Sequence, residues 1–390
     1  MNLIANTPKL RNAIVFDIIL PHEIRGEVVS RMEETESLLK TYGGITHYKI
    51  IQRRFHASRN SYIGLSKLEE LLELGDEIKA DLLIINDTLL LRQIYAIEEI
   101  IEKKKKKIEV WDRVDLILMI FSKHAKTAEA KLQLELARIE HFGPRIYGMG
   151  TELSQQGAGI GTRGTGETNT EIMKRHLSKQ KKIIKDRLKK LEGLRNNNLK
   201  RRKKNGFKCI SIVGYTNAGK SHLFTTLSKR NVLIKDELFA TLDTTTTRLY
   251  LSKTQQTVLI SDTIGFIRNL PPTLINAFKS TLLETIESDL LIQVIDTSDE
   301  EFISKIKFVE EIIHDINAQS IPMLYLFNKV DLLGEEKIAE VKKWVDTYSG
   351  IMISAKENIN LDLVKKRIEQ ILFPDLIHSM RLKEEKSLMS

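Results

Sequence analysis

An α/β fold is expected of this 390-residue chain, on three observations. Apolar runs of strand length alternate with helical stretches in two separate regions. In the later region most of those runs are apolar throughout, as strands buried on both faces of a largely parallel sheet would be. The sequence GYTNAGKS, 214–221, falls where such a run gives way to a helical pattern. Length leaves room for two to three domains. No apolar run is long enough to span a bilayer, and the N-terminus lacks the order of a signal peptide. The only cysteine, Cys209, lies in a strand-like run and reads as a small core residue. A cytoplasmic, monomeric protein is expected.

The first region, 1–110, carries AIVFDIIL, HYKII and ADLLIIN between the helical stretches EIRGEVVSRMEETESLLKTYG and KLEELLEL. It reads as a small N-terminal α/β domain with a helix-covered sheet and no phosphate-binding loop. KKKKK at 103–107 closes a helix, where positive charge suits the dipole. The second region, 111–205, predicts two long helices. Phe121, Ala125, Ala128, Leu132, Leu136 and Ile139 recur at steps of three and four, as do Met173, Leu177, Ile184, Leu188, Leu191 and Leu194. Two such stripes predict an antiparallel coiled-coil hairpin. Its connection, GAGIGTRGTGET at 157–168, holds five glycines and Arg163. Such a loop can approach a phosphate backbone closely, but taken by itself it better suits a flexible surface loop. NNNLKRRKKNGF reads as a basic linker.

The third region, 206–374, alternates KCISIV, RLYLS, TVLIS, LLIQVID, MLYLF and GIMIS with helical stretches, and predicts a mostly parallel sheet. RLYLS and TVLIS are close enough in sequence to form an antiparallel pair. Residues 375–390 read as a charged tail. Net charge is +9, yet Lys174–Lys208 alone holds sixteen Lys and Arg against Asp186 and Glu192, so the rest of the chain is net acidic. This stripe suits a polyphosphate partner, or a solvated helix face.

Four motifs carry chemistry. In GYTNAGKS, Gly214 and Gly219 let the loop of Tyr215, Thr216, Asn217 and Ala218 turn its N–H groups toward phosphates. Lys220 reaches the outer phosphates, and the Ser221 hydroxyl suits Mg²⁺. DTIG follows TVLIS: Asp262 at a strand end can hold the metal through water, Thr263 and Ile264 follow, and the Gly265 N–H can meet the terminal phosphate. NKVD follows MLYLF: the Asp331 carboxylate can accept from the guanine N1–H and amino group, while adenine offers no such donor pair. Asn328 braces the base, the Lys329 stem covers its face, and Val330 lies between. SAK follows GIMIS, with Ser354 and Lys356 flanking Ala355, whose N–H can meet the guanine carbonyl. Four motifs in this order, each after a strand, place their groups along one sheet edge and predict GTP and GDP as ligands. FATLDTTTTRL lies between the first two. A switch needs a threonine there, and Thr241, Thr244, Thr245, Thr246 and Thr247 all offer hydroxyls.

With these motifs placed, the chain closely resembles the HflX family of ribosome-associated GTPases. The resemblance rests on GYTNAGKS, LFATLD, DTIGFI followed by LPP, AFKSTL, NKVD and SAK, and outside them on GIGTRGTGET, DRVDLILMIF and KLQLELARI. It implies GTP hydrolysis, binding to the large (50S) ribosomal subunit and its ribosomal RNA, and a role in ribosome splitting, rescue or assembly. It selects Thr241 in Phe239, Ala240, Thr241, Leu242, Asp243 as the second Mg²⁺ ligand beside Ser221. Lys220, Thr241 and Gly265 are then the groups set against the γ-phosphate. It also suggests K⁺ at Asn217. The sequence departs from the family pattern at His222, Thr244, Thr247, Asn169 and Thr170. Phe266 follows DTIG where Ras-like enzymes carry a water-orienting glutamine. Slow intrinsic turnover, accelerated by the large subunit, is expected. A non-catalytic, GTP-dependent RNA-binding assembly factor would share every binding motif.

Overall fold

The computed structural model describes residues 10–156, 169–204, 206–228, 239, 245–268 and 285–380. They form two compact units, the first built mainly from residues up to Asp186 and the second mainly from Arg187 onward.

The first unit is built on a four-stranded, all-parallel sheet of order β2-β1-β3-β4, from β1 (Arg11–Ile19), β2 (Gly44–Arg53), β3 (Leu82–Ile85) and β4 (Glu109–Asp112). Helix α1 (Arg25–Tyr42) buries Val28, Met32, Thr35, Leu39 and Tyr42 at three- and four-residue spacing. Helices α2 (Leu65–Glu77) and α3 (Leu91–Lys103) bury Leu68, Leu71, Leu72, Ile94, Ile97 and Ile101 against Ile14, Phe16 and Ile18 of β1. The helix expected to close at KKKKK does so, with Lys104 as its C-cap. Strand β4 was not among the expected runs. Only Val110 and Trp111 give it an apolar signal, and both are buried.

The helical region departs from its expectation in three ways. The stripe drawn from Phe121 to Ile139 does not follow one helix, because α4 (Arg113–His124) ends before α5 (Ala128–Gln156) begins. On α5 the buried face is Ala130, Gln133, Leu134 and Ala137, whereas Leu132, Leu136 and Ile139 are half-buried and Ala128 is exposed. The break between the helices resets the phase, so steps counted across it select the wrong face. Helix α6 runs from Asn169 to Lys204 and includes most of the expected linker, NNNLKRRKK. Its Leu, Lys and Arg are good helix formers, and helix propagation costs far less than nucleation. Leu177 and Ile184 are its buried stripe residues; Met173 and Leu194 are exposed. The glycine-rich connection, 157–168, lies outside the described residues.

The second unit carries a six-stranded sheet of order β10-β9-β8-β5-β7-β6. Its strands are β5 (Cys209–Gly214), β6 (Thr245–Leu251), β7 (Gln256–Asp262), β8 (Leu290–Asp296), β9 (Met323–Asn328) and β10 (Ile351–Met352). Only β6 is antiparallel, paired with β7 as expected. Alternate residues of β8 face opposite cores. Leu290, Ile292 and Val294 meet α7 (Lys220–Ser228) and α10 (Leu361–Leu372). On the other face Leu291 and Ile295 meet α8 (Phe302–Asp315), and Val341 of α9 (Glu335–Thr347) joins the latter. Cys209 is a half-buried thiol at the start of β5 and is in no disulfide.

Candidate nucleotide site

Strand β5 lies between β7 and β8, so the C-terminal ends of β5, β7, β8 and β9 form one edge. That edge carries Gly214, Asp262, Asp296 and Asn328, the place where doubly wound sheets hold ligands.

The phosphate loop turns where two glycines permit it. Gly214 has φ +147° and Gly219 φ +93°; a Cβ at the first would strike the Val294 carbonyl, and at the second the Asn328 side-chain amide. Asn217 holds φ +61°, a conformation asparagine tolerates. The Lys220 ammonium is buried inside the loop and donates to the Tyr215 carbonyl at 2.6 Å. Burial pushes its pKa down to about 8, opposed by the charge of Asp262. An ammonium folded onto a backbone carbonyl is what a polyphosphate would draw outward.

DTIG packs directly over this loop. Phe266 N–H donates to the Gly214 carbonyl at 3.1 Å, and the Thr216 N–H to the Phe266 carbonyl at 2.8 Å. A Cβ on Gly265 would lie 2.8 Å from Lys220 Nζ and 2.9 Å from the Thr216 Cα, so only glycine brings this N–H so near the loop. Asp262 and Thr263 are buried, and Thr263 Oγ1 donates to the Ile212 carbonyl at 2.6 Å. Ile264 is buried as well. The Phe266 ring is buried with Val213, Leu291, Val309 and Ile313, on the core side. The Tyr215 hydroxyl accepts the Arg268 N–H at 3.0 Å, and its ring lies edge-on to Phe308.

The base motifs meet through one amide. Asn328 is buried; its Nδ2 donates to the Ala218 carbonyl at 2.8 Å, and its Oδ1 accepts the Ala355 N–H at 2.9 Å. That single side chain ties the phosphate loop, NKVD and SAK together. Two further contacts bear on the base motifs. The Ala355 N–H expected to serve a guanine carbonyl is here given to Asn328, so a base would have to share it. Lys329 has φ +67° and pairs with Asp296 at 2.6 Å, a partner not foreseen in the sequence. Val330 N–H donates to the Ile353 carbonyl at 3.3 Å. Ser354 is buried and its Oγ accepts the Glu357 N–H at 3.0 Å; Lys356 and Asp331 are exposed.

Of the five candidate threonines, Thr245, Thr246 and Thr247 belong to β6, and Thr246 Oγ1 lies 2.9 Å from Ser261 Oγ. Thr241 and Thr244 lie outside the described residues, with Ala240, Leu242 and Asp243. Phe239 is buried at φ +59°. The donor set of Ser221 hydroxyl and Asp262 carboxylate is all hard oxygen and fits Mg²⁺.

Comparison with known proteins decides the family. Family profiles described as "GTP-binding GTPase N-terminal", "GTP-binding GTPase Middle Region" and "50S ribosome-binding GTPase" match residues 29–122, 124–202 and 209–329. A protein named GTPase HflX from Caldanaerobacter subterraneus is 41% identical, over 88% of this chain and 77% of its own length. The chain belongs to the HflX GTPase family. GTPase HflX of Escherichia coli is 38% identical over 77% of this chain and 70% of its own length. The crystal structure titled "SsGBP and GDP complex" superposes with a TM-score of 0.52 at 27% identity, covering 93% of this chain and 98% of that one. No helix among the described residues is long and apolar enough to cross a membrane.

Proposed function

We propose that this HflX-family chain binds and hydrolyses GTP, and that GTP governs its binding to the large ribosomal subunit. The observation that carries the nucleotide reading is the Asn328 side chain, which joins Ala218 of the phosphate loop to Ala355, with Asp331 exposed three residues on. Guanine satisfies the Asp331 carboxylate with two donors; adenine leaves it unpaired. Ser221 and Thr241 would hold Mg²⁺, which supplies charge neutralisation at the β- and γ-phosphates when bound. Asn217 would take K⁺. Lys220 would stabilise charge developing on the γ-phosphate, and the Gly265 N–H would donate to the same phosphate.

Phe266 supports slow intrinsic turnover, since its buried ring cannot hold a water by hydrogen bonding. The hairpin and its tip loop, 157–168, are the proposed ribosomal RNA contact. Exposed Lys182, Lys185, Arg187, Lys189 and Lys190 on α6 support this. Lys181 is half-buried and lies 3.7 Å from Glu140. The protein is proposed to act as a cytoplasmic monomer, with its N-terminal domain, hairpin and GTPase domain at 1–110, 111–205 and 206–374.

Calorimetry with GDP and ADP, followed by hydrolysis with and without purified large subunits, tests this. Tight GDP binding, no ADP binding and faster hydrolysis with subunits are expected. Equal hydrolysis in both conditions, with single-turnover assays also flat, would favour the non-catalytic assembly factor.

A further inference from the structure

We propose that Asp296, at the end of β8, is a positioning residue of the base pocket: by holding the Lys329 ammonium it fixes the turn from which Asp331 reaches guanine. The inference rests on the guanine reading above and deepens it. Asp296 and Asn328 are register partners at the ends of β8 and β9. From there, residues 296–298 grip NKVD at several points. Thr297 is fully buried, and its N–H and Oγ1 donate to the Asn328 carbonyl at 3.1 and 2.7 Å. Asp296 Oδ2 accepts Lys329 Nζ at 2.6 Å. Asp296 Oδ1 is itself oriented by the Ser298 N–H at 3.0 Å and Oγ at 2.5 Å.

Lys329 is the strained member of the motif, since φ +67° is disfavoured for a residue with a Cβ. A strained residue persists only where its surroundings over-determine it. Thr297 fixes the carbonyl before it, and Asp296 fixes its side chain. The short turn Val330–Leu332 that follows carries Asp331. Releasing the ammonium removes one of these restraints, and a relaxed φ at Lys329 would swing Asp331 off the base edge. The carboxylate and ammonium side chains are 19% and 25% exposed, so solvent screens this pair only in part.

The test is a double-mutant cycle on the full-length protein, reading GDP affinity, GDP release and single-turnover hydrolysis of pre-bound GTP. Asp296→Asn is expected to raise the GDP Kd about tenfold, mainly through faster release, while hydrolysis of bound GTP stays within about twofold. In a Lys329→Met background the same Asp296 change is expected to alter Kd by less than about twofold. Unchanged affinity in the single variant, or a full tenfold loss persisting without the lysine, would overturn the proposal. Where Asp296→Asn lowers the thermal midpoint, Ser298→Ala carries the test, because it removes only the hydroxyl that orients the carboxylate. An effect of about threefold that vanishes in the Lys329→Met background is expected there. Failure of the unaltered protein to bind GDP would instead strike the guanine reading itself.

Discussion

Asp331 and Lys220 show how much single residues decide. Asp331 is exposed, and as the proposed base-reading carboxylate it has donors to meet only if the purine carries an N1–H and an exocyclic amine. Asp331→Asn offers an N–H in place of one oxygen, which suits the 2-carbonyl of xanthine. The expected outcome is a GDP affinity lowered by about a hundredfold or more, with a gain for xanthosine diphosphate, measured by calorimetry. Lys220 has the opposite character, being buried, with a pKa pushed down to about 8. Its amine is increasingly neutral above pH 8 in the free protein, whereas a polyphosphate favours the ammonium. Nucleotide binding should therefore take up a proton above pH 8, and GDP affinity should fall by up to about tenfold per pH unit there. Comparing binding heats in buffers of different ionisation enthalpy checks this, and pH-independent binding from 7 to about 9.5 would contradict it. Both residues were legible in sequence through their motifs. The Asp296–Lys329 pair was not, because its partners are 33 positions apart and meet only through strand register.

At the scale of elements, the end of β4 is tied to α5 by charge. Asp112 and Asp115 cap the start of α4 reciprocally: Asp112 N–H donates to Asp115 Oδ2 at 2.9 Å, and Asp115 N–H to Asp112 Oδ1 at 2.8 Å. His141 of α5 adds its Nε2, 2.9 Å from Asp115 and 3.5 Å from Asp112. Burial would lower the imidazole pKa, but hydrogen bonds to and charges of the two carboxylates hold it up at about 9. A group whose pKa is raised on folding stabilises fully below its unfolded value, here near 6.5, and loses that contribution as pH rises toward 9. His141→Gln should therefore cost about 2–3 kcal/mol at pH 6 and little at pH 9.5, read as the difference in unfolding free energy. Phe266 belongs to this scale too. Its ring fills the core beside α8, so Phe266→Ala should cost about 3–5 kcal/mol of stability in denaturant unfolding. From sequence, Phe266 read as a missing glutamine. The fold adds that its side chain is a packing element, buried with Val213, Leu291 and Val309.

For the molecule as a whole, every residue proposed for the nucleotide site lies between Gly214 and Lys356, inside the second compact unit. A chain starting at Gly206 should bind GDP within about threefold of the full-length protein, as measured by calorimetry. The basic stripe works on another length scale. If five of its exposed charges meet phosphates, affinity for the large subunit should fall by about a hundredfold between about 50 and 200 mM salt, while GDP affinity stays nearly flat. Sedimentation with labelled protein at several salt concentrations separates the two.

The sequence alone determined the α/β class and the four nucleotide motifs, and allowed the antiparallel β6–β7 pair. Each of these is local: strand-length apolar runs, a short turn and loops that directly follow strands carry their own signal. Tertiary structure decided the rest. It set the phase of the helical stripes, because a three-residue break between α4 and α5 shifts the buried face. It turned a supposed linker into the end of α6. It placed Phe266 in the core and gave the Ala355 N–H to Asn328. Those outcomes depend on which strands lie side by side, and register brings together residues whose separation along the chain carries no period to read.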